Sequence, residues 1–82
     1  MKRSELDNLI ELNARGLWCP EPIMLLHNKI NDMEKGELLR LTATDPSTKR
    51  DVPKFCLYLG HELVETKINQ KERKYRFTIR KK

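Results

Sequence analysis

No stretch of the chain approaches the roughly 18 consecutive apolar residues of a membrane-spanning helix, so none is expected. Cysteine is scarce. Cys19 and Cys56 are too few for a disulfide scaffold, and a reducing compartment keeps such residues as thiols. No Cys-x-x-Cys or His pair supplies metal-ligand spacing, and His27 lies about two helical turns beyond Cys19. Glycine numbers only three, with no phosphate loop or dinucleotide fingerprint, so neither a metal nor a cofactor is expected. Aromatic residues are 6% of the chain, a thin supply for stacking on nucleic-acid bases. The start, Met1-Lys2-Arg3-Ser4-Glu5, lacks the apolar core of a signal peptide, which points to the cytoplasm.

What remains suits one small soluble domain. Apolar residues make up 38% and charged residues 35% of 82 positions, enough for an economical core. Residues 1–8 are expected as a flexible lead-in and 9–82 as the domain. The net charge of +5 is unevenly spread, because eight basic residues between Lys67 and Lys82 face only Glu72. This segment is either a solvated face or the place where an acidic partner meets the chain.

Leu9 to Ala14 alternates as a strand, with Ile10 and Leu12 on one face, and Arg15-Gly16 breaks it. A helix is predicted from Pro20 to about Met33, with Ile23, Leu26, Ile30 and Met33 as one apolar stripe and Gly36 as its stop. Glu37 to Ala43 reads as the second strand. Asp45 or Ser47 caps a second helix, whose stripe is Val52, Phe55, Cys56 and Leu59, and Gly60 closes it. Glu62 to Ile68 and Lys74 to Arg80 form an antiparallel hairpin. The order β-α-β-α-β-β, with a parallel right-handed first unit, predicts an α+β two-layer sandwich. Both helices then cover one face of a four-stranded mixed sheet. The other face carries Arg76, Thr78 and Arg80 and is expected to be wet and basic.

The chemistry concentrates in Gly16-Leu17-Trp18-Cys19-Pro20-Glu21-Pro22. Proline favours the first helical position, so Pro20 makes Cys19 the predicted N-cap. The sulfur then sits among unpaired amide N–H groups at the positive end of the helix dipole. There the thiolate is expected to be more populated than in a free cysteine. Cys56, on an apolar stripe, reads as core.

With Gly16-Leu17 before it, Cys19-Pro20-Glu21-Pro22 resembles the C-P-x-P motif of the TusA family of small bacterial sulfur-carrier proteins. The blocks Asp45-Pro46, Asp51-Val52-Pro53, Phe55-Cys56 and Gly60-His61-Glu62-Leu63 are similar to that family too. The likeness spans about Leu12 to Arg80. Asn13 stands where family members often carry Asp, and Trp18 where Arg is frequent. The resemblance implies that Cys19 accepts a sulfane sulfur as a persulfide from a cysteine desulfurase. A downstream sulfur-relay protein then takes it, towards 2-thiolation of a tRNA wobble uridine. Some relatives feed molybdenum-cofactor synthesis or sulfur oxidation instead.

Around Cys19, Gly16, Pro20, Glu21 and Pro22 are expected to shape the site without reacting. Trp18 is either a partner anchor or a hydrophobic staple on Ile23 or Met24. Arg76 and Arg80 are candidate partner contacts. His61 is a helix-end or strand-entry residue, and Asp45 and Asp51 read as caps. The chain is expected to work as a monomer, without membrane or stable nucleic-acid binding. The alternatives are a basic RNA-binding module, whose affinity survives loss of Cys19, and a redox-regulatory interaction protein that only senses oxidants through it.

Overall fold

Strands form where apolar and polar side chains alternate, and helices where the apolar period lengthens. The computed structural model describes residues 9–82, so the lead-in expected at 1–8 lies outside the described residues. Its order is β1 (Ile10–Ala14), α1 (Glu21–Asn31), β2 (Leu38–Ala43), α2 (Thr48–Leu59), β3 (Glu62–Asn69) and β4 (Lys74–Arg80). The sheet runs β1-β2-β4-β3, with β1 and β2 parallel and the other two pairings antiparallel. This is the α+β sandwich predicted. The strand order is new information, with β4 in the centre because it pairs both β2 and β3.

The period of two divides the sheet into a dry face and a wet one. Ala14, Leu39, Leu41, Ala43, Tyr75, Phe77 and Ile79 are buried towards the helices with Leu26, Ile30, Val52, Phe55 and Cys56. Leu26, Leu39, Leu41, Phe77 and Ile79 are sealed completely, each contributing about 1.5–3 kcal/mol through lost apolar exposure. On the opposite face Arg76 and Arg80 are half-exposed, as expected. Thr78 is not wet: it is only 8% accessible, in register between Arg40 of β2 and Glu65 of β3. The Nε atoms of Arg40 and Arg76 are themselves buried. Long arginine side chains bury their stems against the sheet while their charged ends reach water.

The end of α1 differs from expectation. α1 stops at Asn31 with Asp32 as its C-cap, and Gly36 instead closes the following turn at φ +86°. Met33 stays buried beyond the helix, so its place in the apolar series reflects packing rather than helical geometry. α2 ends as foreseen. Gly60 takes the left-handed conformation at φ +79°, and the Gly60 and His61 N–H groups both donate to the Cys56 carbonyl. Leu59 is about half exposed, so the buried stripe of α2 stops at Cys56.

Candidate functional site

Parallel pairing of β1 with β2 brings the chain after Ala14 beside the chain after Ala43. That juxtaposition builds the site. Gly16 turns the first segment at φ +82°, a left-handed conformation costing an L-residue roughly 1–2 kcal/mol, and its N–H donates to Thr44 Oγ1 at 2.9 Å. Three residues later the Cys19 N–H donates to Asp45 Oδ2 at 2.6 Å. Asp45 is buried and also accepts the Ser47 N–H at 3.0 Å and the Ser47 hydroxyl at 2.8 Å. Burial raises its carboxyl pKa, but the donors from Ser47 and Cys19 and the charge of Arg50 outweigh it, leaving the group below the usual carboxylate value. Asp45 thus locks the backbone that presents the cysteine.

Cys19 is not the N-cap. Pro20 holds that place, with φ −99° and ψ 14°, while Glu21 and Pro22 are the first two helical residues. The amide cradle is correspondingly thin. Pro20 and Pro22 have no N–H, and the Glu21 N–H is taken by the Trp18 carbonyl at 2.9 Å. The Met24 N–H donates to Pro20, which leaves the Ile23 amide at the helix entrance.

The sulfur faces a carboxylate instead. Cys19 is exposed, and its thiol donates to Asp51 Oδ2 at 3.5 Å. That hydrogen bond, helped by desolvation and by the negative charge of Asp51, raises the thiol pKa above its ordinary value; Ser47 opposes this without reversing it. The expectation of an enriched resting thiolate is therefore overturned. The dipole argument failed because α1 starts one residue late, its prolines remove donors, and two acidic side chains of the next segment face the sulfur. Asp51→Asn removes the charge and supplies an amide donor. Its Cys19 should ionise at lower pH, seen as a downward shift of the pH profile for iodoacetamide alkylation; an unchanged profile contradicts the assignment.

Cys56 behaves oppositely. It is 3% accessible within the core, and burial pushes its thiol up to about 11. Thiol reagents should modify one cysteine per native chain, at Cys19, and reach Cys56 only on unfolding. Prompt double labelling would contradict this.

The flanking residues spread out. Trp18 is 62% exposed, which leaves its ring open rather than stapled over the helix. Glu21 is exposed and Pro22 is buried against the core. Beside Cys19 and Pro20, a groove of about 750 Å³ runs between α1 and α2, lined by Ile23, Met24, His27, Phe55 and Tyr58 among others. His27 and His61 flank the Phe55 ring, each with its centroid 5.9 Å away. Burial, then the charges of Lys81 and His27, hold His61 below its ordinary pKa. Arg76 lies at the Cys19 end of β4, whereas Arg80 is opposite Leu38 at the other end.

Asp45 and Asp51 are the residues whose role at the thiol was missed. They lie 26 and 32 positions from Cys19, and reading both as caps hid this use; Ser47 is the N-cap of α2, and Asp51 lies within its first turn. The available signal was topological: a parallel β-α-β unit places the segments following its two strands together at one end of the sheet.

Fold and site together define a small α+β protein that offers one accessible thiol at a helix entrance, held from behind by a buried carboxylate. No helix among the described residues is long and apolar enough to cross a membrane. Residues 10–81 match the family model described as sulfurtransferase TusA, and the chain belongs to that family. It is similar to the sulfur carrier protein TusA of Pseudomonas paraeruginosa, 58% identical over 71 residues that cover 87% of both chains. The protein of that name from Pseudomonas syringae pv. syringae is 56% identical over 72 residues, 88% of this chain and 83% of the relative. That of Pseudomonas fluorescens is 61% identical over 54 residues, covering 66% and 65%.

Proposed function

We propose that this chain is a cytoplasmic sulfur carrier that accepts sulfur from a cysteine desulfurase on Cys19 and passes it to a downstream relay protein. Thiolation of a tRNA wobble uridine is the destination. The observation that carries this reading is the contrast between the two cysteines in a chain of a sulfurtransferase family. Cys19 is open to a partner, and Cys56 is sealed in the core. Similarity to relatives named sulfur carrier proteins over most of their length supports it.

The chemistry is an exchange of one S–S bond for another. Cys19 Sγ attacks the outer sulfur of the donor's persulfide, and Asp51, already hydrogen-bonded to the thiol, takes its proton. The new bond joins Sγ to that outer sulfur, while the old bond breaks and its electron pair leaves on the donor cysteine as a thiolate. No external oxidant or reductant enters. The proton returns to the donor or solvent, and the carried persulfide, more acidic than a thiol, is anionic at neutral pH. In the second step an acceptor thiolate attacks the outer sulfur and Cys19 departs. Gly16, Pro20 and Pro22 hold the geometry, and Glu21 and Trp18 face the partner. The domain, residues 9–82, works as a monomer in transient complexes.

The test is the intact mass after incubation with a purified bacterial cysteine desulfurase and L-cysteine. A gain of one sulfur atom, reversed by dithiothreitol, is expected. A mass that stays unchanged overturns the proposal.

A further inference from the structure

The strand register divides the basic C-terminal segment into two groups at opposite ends of the sheet. Arg80 pairs across from Leu38 at the start of β2, Lys81 Nζ is bonded to the Met33 carbonyl at 2.7 Å, and the Lys82 N–H donates to His61. Those three are tied to the end of the molecule away from the thiol. Tyr75, by contrast, lies opposite Ala43, two residues before the Asp45 that holds Cys19. The β3–β4 turn therefore projects from the Cys19 end, bringing the exposed Lys67, Lys71 and Arg73 there with the half-exposed Lys74 and Arg76.

The start of α2 connects this cluster to the sulfur. Lys49 is exposed, with its ammonium 5.9 Å from the centre of the Tyr75 ring. Arg50, next to it, pairs at 3.4 Å with Asp51, which holds the Cys19 thiol. Neighbouring strands lie only about 5 Å apart, so hairpin and thiol fit under one protein interface. Beside the turn, Lys67, Lys74 and Arg76 line a hollow of about 380 Å³, in which Glu72 sits 3.9 Å from Lys74 and offsets part of the charge.

We infer that this cationic hairpin end is a docking surface for an acidic patch beside the reactive cysteine of the sulfur-donating protein. The inference rests on the sulfur-carrier reading and adds the surface that brings the two thiols together. Charge complementarity carries it: the cations gather at the thiol's end of the sheet. An RNA occupant is disfavoured because the hairpin offers no open ring for a base, Tyr75 and Phe77 being buried. Electrostatic steering of this kind raises association rates by about 10- to 1,000-fold and fades with salt.

The experiment measures sulfur loading of the full chain by a purified cysteine desulfurase charged with L-cysteine, at salt from about 20 to about 500 mM. At low salt the variant K67E/K71E/R73E should load at least about tenfold more slowly at limiting donor, with an unchanged rate at saturating donor. Salt should slow the wild-type protein but not the variant. A K67Q/K71Q/R73Q variant, altered at the same exposed positions, should fall between them. Equal low-salt rates for all three, or wild-type loading indifferent to salt, overturn the inference while the carrier reading stands. Wild-type protein that takes up no sulfur at all overturns both. Salt-sensitive binding of a purified tRNA, lost in K67E/K71E/R73E with loading intact, would assign the surface to nucleic acid and overturn the inference.

Discussion

Cys19→Ser should abolish sulfur loading, lowering the rate by about a thousandfold or more to the background of an uncatalysed thiol reaction. The size follows from chemistry: a hydroxyl neither attacks sulfane sulfur at neutral pH nor leaves from it. Folding should be unaffected, since Cys19 is exposed and its packing contribution small. Cys56→Ser is the contrasting variant. It places a hydroxyl in a core site that is 3% accessible, so it should lower stability while the remaining folded protein loads normally. Intact-mass kinetics on both variants, with circular dichroism for folding, separates the chemical role from the structural one. Substantial loading of Cys19→Ser would remove Cys19 from the mechanism.

Asp45→Ala should be the most damaging change outside the apolar core, costing about 2–4 kcal/mol. The carboxylate accepts three hydrogen bonds in a buried setting, and alanine leaves the Cys19 and Ser47 N–H groups without an acceptor. For a domain of this length that corresponds to a melting temperature lower by about 10–25 °C. Asp45→Asn keeps the shape and one acceptor oxygen but points an amide donor at other donors, so its loss should be smaller. The pH dependence follows from the depressed pKa of Asp45. Its stabilisation is complete above the unfolded carboxyl value of about 3.9 and disappears as pH falls through the lower folded value. Thermal melts from neutral to acid pH should show the Asp45→Asn deficit shrinking over that window. A deficit that stays constant in acid would show that the charge is not what stabilises the fold.

His61 adds a second loss of stability in acid, at higher pH. Its protonation is disfavoured in the folded chain, so no penalty exists above the unfolded value near 6.5, and stability falls as pH drops from there through the lower folded value.

Much of the architecture was legible because it rests on local periodicity. The alternation in β4, the Val52–Phe55–Cys56 spacing and the glycine at the end of α2 each specify one local answer, and the structure adopts it. Long-range features were less legible. That β4 sits between β2 and β3 depends on pairing partners, which no single strand encodes. The burial of Thr78 has the same origin, because its neighbours Arg40 and Glu65 come from other strands. At the site, the Cys19-Pro20-Glu21-Pro22 motif drew attention to the reactive side chain. Its electrostatic setting differs from the expectation because the helix begins one residue later, so Pro20 takes the N-cap and Pro22 leaves the first turn short of a donor. The residues that replaced the amides, Asp45 and Asp51, come from the far end of the β-α-β unit.

An acidic neighbour for a carrier thiol has a physical consequence. A resting thiol that keeps its proton reacts slowly with stray oxidants and electrophiles, since the thiolate is the nucleophile. In the proposed transfer Asp51 takes that proton as the sulfur attacks, so the thiolate forms only at the moment of transfer. A persulfide carried there as proposed, more acidic than a thiol, needs no such help to ionise. The exposed Met24, Tyr58 and Trp18 around the thiol give a partner apolar surface to cover as it arrives.

Cyanolysis reads the sulfur in its carried form. Protein loaded by desulfurase and L-cysteine, then freed of both, should release one equivalent of thiocyanate per chain with cyanide and regain a titratable Cys19 thiol. Release of none, or of the same amount from Cys19→Ser, would contradict a transferable sulfur held at that position.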